Sequence, residues 1–121
     1  MGESGGVVVR SKVPGEFEQL VLLTLAGFDA DASGREVYEV VTSATGRDVA
    51  IAAVHITLDR IEQKGWASSE TREPEPGEGG RPRRRYAISA AGIEMVRELR
   101  RQHDALWGRA STNPLLDGGA R

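Results

Sequence analysis

The sequence predicts a mainly α-helical domain with a small β-wing, and two observations carry this prediction. The segment VHITLDRIEQKG places Val54, Leu58 and Ile61 on one face of a helix, because its apolar residues recur at helical spacing. Directly after it come a short β-like run, WASSETRE, a Pro/Gly/Glu-rich tip and a basic return run, RRRYAIS. A helix followed by a hairpin with a glycine-rich tip is typical of a winged helix-turn-helix. In that arrangement the helix can enter a DNA groove and the hairpin can contact phosphate.

Three helices precede the hairpin in this prediction. The first has an apolar face and is closed by Gly27. The second begins after Ser33, with Glu36 completing a capping-box pattern, and Gly46 stops it. The third opens at residue 48 or 49 and ends at Gly65.

The hairpin is predicted from two strands, about 66–73 and 83–88, and a last helix follows with Ser89 as its cap. That helix has an apolar stripe that a domain of this size cannot fully cover, so we predict that a second copy of the chain covers it. The stripe consists of Ile93, Val96, Leu99, His103, Leu106 and Trp107. The predicted organisation is a flexible arm at 1–13, a winged helix-turn-helix DNA-binding domain at 14–89, a C-terminal dimerisation helix at 90–110 and a flexible tail at 111–121.

Composition restricts the function classes. A chain of 121 residues supports one domain, and the absence of cysteine excludes disulfides and fits a reducing cytosol. The longest apolar run is too short to span a bilayer, and no secretion signal is recognisable, so we expect a cytoplasmic protein with no membrane contact. The net charge of −2 argues against general polyanion binding. The basic residues are nevertheless concentrated locally, at Arg81, Arg83, Arg84 and Arg85.

Catalytic and metal-binding motifs are not found in this sequence. The two histidines, His55 and His103, have no neighbours at metal-ligand spacing, so no metal and no cofactor are expected. No nucleophile elbow, Walker loop or dinucleotide fingerprint is present, and the acidic residues of the hairpin tip are not expected to be buried enough for acid–base work. We therefore expect a protein that is not an enzyme.

The chain resembles PadR-type transcriptional regulators, in particular the short forms with a single C-terminal helix, over about residues 15–107. The resemblance rests on GEFEQLVLLTLA in the first helix, TGRDV before the third, TLDRIEQKG at the end of the third, and GG, RP and RRRYAISAAG in the wing and last helix. It implies a homodimeric regulator, most often a repressor, whose C-terminal helix packs in the dimer interface. A dimer also presents two recognition helices to successive major grooves, and so predicts an inverted-repeat operator in double-stranded DNA.

The face of the third helix opposite its core stripe, together with this resemblance, gives the DNA-contact candidates. They are Ala53, His55, Ile56, Thr57, Arg60 and Gln63 in the third helix and Arg81, Arg83, Arg84 and Arg85 in the wing. Thr57 and Arg60 match the family pattern. Where the family commonly has Ser-x-Gly, this chain has residues 50–52 as Ala-Ile-Ala, and His55 stands where tyrosine is common. The loss of a hydroxyl and a phenol removes phosphate contacts and one N-cap option.

Several interpretations stay open at this stage. An arginine run is most often a solvated surface, and the third helix could be an ordinary solvated helix of a small domain. Trp107 could fill the dimer interface, or two copies of it could form a planar pocket for a small aromatic effector that relieves DNA binding. The alternative function is a winged-helix protein-interaction module that has lost operator binding and docks partners through its alanine-rich helix face.

Overall fold

The computed structural model describes residues 13–77 and 79–117, and this part of the chain confirms the predicted winged-helix fold. The helices are α1 (Glu16–Ala26), α2 (Gly34–Thr45), α3 (Ile51–Gln63) and α4 (Ala90–Ala110). The strands are β1 (Ala32–Ser33), β2 (Ala67–Arg72) and β3 (Arg83–Ile88), which form an antiparallel sheet in the order β1–β3–β2. Helices α1 to α3 form the body, strands β2 and β3 form the wing, and α4 leaves the body after the wing.

The helix ends follow from local chemistry. The N–H of Glu36 donates to the Ser33 hydroxyl at 3.1 Å and the Glu36 carboxylate accepts from the Ser33 N–H at 2.9 Å, which confirms the capping box of α2. Gly46 ends α2 with a φ of 74°, in the left-handed region that glycine adopts without strain. Helix α3 begins at Ile51, later than predicted. Its N-cap residue, Ala50, has no polar side-chain atom that could accept a hydrogen bond from the first turn.

The core lies between the three helices of the body and the sheet. Each helix contributes residues spaced three and four apart, as the apolar periodicity predicts. Trp66 and Tyr86 close the core on the side of the wing, with 4% and 2% of their surfaces exposed. The buried helical residues are Val21, Leu22 and Leu25 of α1, Val37 and Val41 of α2, and Val54, Leu58 and Ile61 of α3.

The start of α4 is fixed against the wing by a close backbone approach. A Cβ atom at Gly92 would lie 2.1 Å from the carbonyl oxygen of Trp66, so only glycine fits there. The Ser89 hydroxyl donates to the carbonyl of Gly65 at 2.7 Å and accepts from the Gly92 N–H at 3.1 Å. These contacts set the direction in which α4 leaves the body.

The second half of α4 is exposed, and a short turn follows it. Residues 100–110 are exposed along their whole length. A 3-10 turn forms at Pro114–Asp117, within the segment predicted as a flexible tail, and the flexibility of that segment stays a prediction. The Asn113 side chain holds this turn by accepting from the N–H of Leu115 at 2.9 Å. The predicted arm at 1–13 lies outside the described residues except for Val13, and residues 118–121 of the tail lie outside them as well.

Candidate nucleic-acid interface

Helix α3 turns its apolar stripe to the core and leaves the opposite face open to solvent. Ile56 is the prominent side chain of that face, with 57% of its surface exposed. Ala53 and Asp59 flank the face and are half-buried. The exposed residues of the face are Ala52, His55, Ile56, Arg60 and Gln63.

Thr57 is a correction to the predicted DNA-contact set. Only 5% of it is exposed, and its hydroxyl donates to the carbonyl of Ala53 at 2.8 Å. Thr57 lies three residues after Val54 and four before Ile61, so it belongs to the buried stripe of α3 and not to its outward face. Thr57 is therefore not available to contact a base in a DNA groove.

His55 is exposed, but its ring lies against another helix. A Cβ atom at Gly34 would come within 2.2 Å of Cε1 of His55, so the imidazole covers the first residue of α2. The histidine that stands at the family's tyrosine position thus packs across the helix-turn-helix. The sequence alone gave no sign of this contact, because it joins residues on two different helices.

The wing arginines do not share one surface, because successive side chains of a strand point to opposite faces. Arg84 points towards α3, where it lies 2.8 Å from Glu62 and 3.2 Å from Asp59. Its guanidinium also donates to the Ser69 hydroxyl at 3.0 Å and lies 5.2 Å from the centre of the Tyr86 ring. Arg84 is therefore a link between the wing and α3.

Arg85 points to the opposite face of the wing and is held there by acidic residues. It lies 2.9 Å from Asp31 and 3.3 Å from Glu36. The hydrogen bond that Arg85 donates to Asp31, together with one from Arg72, holds the pKa of Asp31 below its ordinary value. Arg84 and Arg85 are thus paired with carboxylates of the same chain, and their predicted contact with DNA stays a prediction.

Arg81 and Arg83 remain as the unneutralised cations of the wing. Both are exposed, and neither forms an ion pair with another described residue. Arg83 lies directly across the hairpin from Arg72, which is itself drawn to Asp31 at 2.8 Å. Arg83 lies two residues before Arg85 on β3 and lines the same depression as Arg85, so both lie on the face of the wing opposite Arg84.

The carboxylates of α3 are engaged by the wing. Buried Tyr86 donates its hydroxyl to Asp59 at 2.9 Å, and burial together with this bond raises the pKa of Tyr86 to about 12. Glu62 accepts from the Ser69 hydroxyl at 2.9 Å. The acidic residues of the helix are thus turned towards the hairpin, away from the exposed face.

The predicted dimerisation stripe of α4 divides into two parts. In the first part, Leu99 has only 8% of its surface exposed, and Val96 is half-buried against the core. Ile93 is also half-buried. This part of the stripe is therefore already covered, at least partly, within the chain. Leu106 and Trp107 are 66% and 58% exposed. The part of the stripe that lacks an intramolecular cover is the distal part, which also contains the exposed His103.

Two apolar depressions lie along this part of the chain. One, of about 330 Å³, opens between α1 and α4 and is lined by Leu20, Leu23, Leu99, Arg100 and His103 together with two polar residues of α1. The other, of about 220 Å³, is lined by His103, Leu106, Trp107, Ala110 and Leu116, so the 3-10 turn folds a leucine back towards the tryptophan. Both depressions are open to solvent in the single chain.

Metal-binding and membrane-spanning features are absent from the described residues. Within 13–77 and 79–117, no three histidine, aspartate or glutamate side chains are grouped so that they could hold a metal ion. None of the helices in the same ranges is both long and apolar enough to cross a membrane.

Comparison with known proteins identifies the fold. No protein-family model matches the sequence, and no curated protein matches it. Among solved structures, a PadR-like transcription factor from Bacteroides fragilis matches with a TM-score of 0.67 and 18% identity, covering 90% of this chain and 97% of that one. A PadR family transcriptional regulator from Eggerthella lenta matches with a TM-score of 0.63 and 19% identity, covering 92% and 91% of the two chains.

A PadR family transcription regulator from Clostridium difficile gives a TM-score of 0.63 at 18% identity, covering 84% of this chain and 99% of that one. The chain therefore has the winged-helix fold of the PadR-type regulators, as its sequence resemblance implies. The agreement extends over nearly the whole length of these structures, so this chain is similar to them in overall architecture.

Proposed function

We propose that this chain is a sequence-specific DNA-binding transcriptional regulator that acts as a homodimeric repressor. The observation that carries the proposal is the outward face of α3 beside a wing whose Arg81 and Arg83 have no acidic partner among the described residues. A helix of this kind can lie in the major groove while the wing contacts the phosphate backbone. The similarity in fold to PadR-type regulators supports this use of the two elements.

The dimer in this proposal forms through the distal part of α4. Leu106 and Trp107 are exposed there, and Leu115 and Leu116 add apolar surface at 66% and 50% exposure. Burying such side chains against a second copy is favourable by about 1.5–3 kcal/mol for each large one. A two-fold dimer would place two α3 helices about 34 Å apart, and would therefore select an inverted-repeat operator.

An effector site fits the same region. The depression at Trp107 is lined almost entirely by apolar atoms and is open on one side in the single chain. A second copy would close it, and two indole rings would form flat walls for a small aromatic molecule. We propose that binding of such a molecule changes the separation of the two α3 helices and relieves repression.

The decisive experiment is selection of duplexes from a random library by the wild-type protein, followed by titration of the enriched duplex at several salt concentrations. About four wing–phosphate contacts per dimer predict a slope of log K against log salt of roughly −3 to −4. No enrichment, together with no salt-dependent binding to any duplex, would refute a DNA-binding function.

The second candidate is a protein-interaction module, and the exposure of Ile56 on a helix face with alanine neighbours favours it. An apolar docking surface of this kind would bind its partner with little dependence on salt. The salt series described above therefore separates the two candidates.

A further inference from the structure

The N-terminal half of α3 presents an apolar surface to solvent. Ile56 is 57% exposed, more than Leu23 of α1 at 49% or Val40 of α2 at 42%. Ala52 lies one helical turn before Ile56 on the same face and is also exposed. A ligand that approaches this half of the helix therefore meets methyl and methylene groups.

Three of the six polar side chains of α3 are occupied within the protein. The Thr57 hydroxyl donates to the Ala53 carbonyl. Asp59 accepts from Tyr86 and pairs with Arg84, and Glu62 accepts from Ser69. These contacts leave no polar side chain of the helix's first half except His55 to face a groove.

Arg60 lies one turn after Ile56 on the same face and is exposed. Its positive charge complements a phosphate backbone on the side where Ile56 is exposed. The charge pattern thus favours nucleic acid over an apolar protein as the occupant of this surface.

In the major groove the apolar group that distinguishes one base from the others is the C5-methyl group of thymine, and small apolar side chains recognise it by direct contact. We propose that Ile56, supported by Ala52, is a specificity-determining residue that selects thymine in each half-site by contact with this methyl group. This inference rests on the proposed function and specifies the chemical group of the operator that α3 recognises.

The test removes only the methyl group. In the duplex selected by the wild-type protein, each thymine is replaced in turn by uracil, and affinity is measured by fluorescence anisotropy. At one or two positions in each half-site the replacement should weaken wild-type binding about fourfold, since one buried methyl group contributes about 0.8 kcal/mol. The Ile56→Ala protein should bind the thymine and uracil duplexes equally at those positions.

Two controls make the result specific. Ile56→Ala should leave binding to random-sequence DNA and the salt slope unchanged, because isoleucine makes no ionic contact. Gln63→Ala, at an exposed residue near the end of the same helix, should keep the wild-type response to uracil.

The outcomes separate this inference from the proposed function. If an operator is selected but uracil is tolerated at every thymine, or if Ile56→Ala keeps the wild-type sensitivity, the inference is overturned and the DNA-binding function stands. If no duplex is selected and none binds, both are overturned.

Discussion

The guanidinium of Arg84 lies 2.8 Å from the carboxylate of Glu62, so β3, the central strand of the sheet, is tied to α3. The same arginine lies 3.2 Å from Asp59. Both carboxylates would otherwise add negative charge beside the surface that we propose for DNA. In the proposed interface, Arg84 therefore neutralises the carboxylates of α3, and Arg81 and Arg83 are the arginines that we expect to contact phosphate.

Arg84→Ala should weaken both the fold and DNA binding. The ion pairs are about half exposed, so the free energy of unfolding should fall by roughly 0.5–1 kcal/mol, measured by urea titration. DNA affinity should also fall, because Asp59 and Glu62 then repel phosphate. Adding Asp59→Asn and Glu62→Gln should restore the affinity, and a loss that persists in this triple variant would mean that Arg84 itself contacts DNA.

Arg81→Ala combined with Arg83→Ala should weaken DNA binding without weakening the fold. Neither residue has an ion-pair partner among the described residues, so the free energy of unfolding should stay within about 0.5 kcal/mol of the wild-type value. Affinity for all duplexes should fall together, and the salt slope should flatten by about 0.9 for each lost contact. Full affinity of the double variant at low salt would show that the wing does not contact the backbone.

The sequence predicted the elements of this fold better than the roles of its side chains. The capping box of Ser33 and Glu36 and the apolar stripes could be predicted because they depend on residues a few positions apart. The partners of Arg84 and Arg85 could not, because they depend on where β1 and α3 lie against the wing. Strand alternation alone would have placed these two arginines on opposite faces, and helical spacing would have placed Thr57 on the buried stripe.

Gly92→Ala tests how α4 is fixed to the body. The added Cβ would lie 2.1 Å from the backbone carbonyl oxygen of Trp66, which cannot move without disrupting the start of the wing. We expect a loss of roughly 1–3 kcal/mol or more in the free energy of unfolding, measured by urea titration.

Gly108→Ala is the matched control for that substitution. Gly108 lies on the same helix, and nothing lies within 4 Å of its added Cβ. Its replacement should raise the stability of the helix by about 0.5–1 kcal/mol. Equal effects of the two substitutions would contradict the close approach at Gly92.

The interactions of Glu18 make the free energy of unfolding depend on pH. Burial raises the pKa of Glu18, but hydrogen bonds from the Gly15 N–H and the Lys64 ammonium outweigh burial and hold the pKa below its ordinary value. A carboxylate whose pKa is lower in the folded state stabilises the fold above its unfolded-state pKa of about 4.3, and this contribution is lost as the pH falls through the folded-state pKa.

Glu18→Gln should therefore be less stable than the wild type at pH 7, and the difference should shrink as the pH falls below about 4.3. Urea unfolding at several pH values measures this difference. Glu39→Gln, which removes an exposed carboxylate 3.8 Å from Arg35, is the control and should change stability little at any pH. A difference between Glu18→Gln and wild type that does not vary with pH would contradict the assignment.

The last prediction separates the two parts of the α4 stripe. Leu99 is 8% exposed and belongs to the protomer, whereas Trp107 is 58% exposed and, in the proposed dimer, is covered by the second copy. Leu99→Asp should therefore unfold the protomer, because it buries a charge without a partner. Trp107→Asp should keep the circular dichroism of a folded helical domain but split the dimer, and DNA affinity should fall with the loss of the second half-site. Sedimentation at micromolar concentration measures the assembly, and a wild-type chain that sediments as a 13.0 kDa monomer would rule out both the dimer and the inverted-repeat operator.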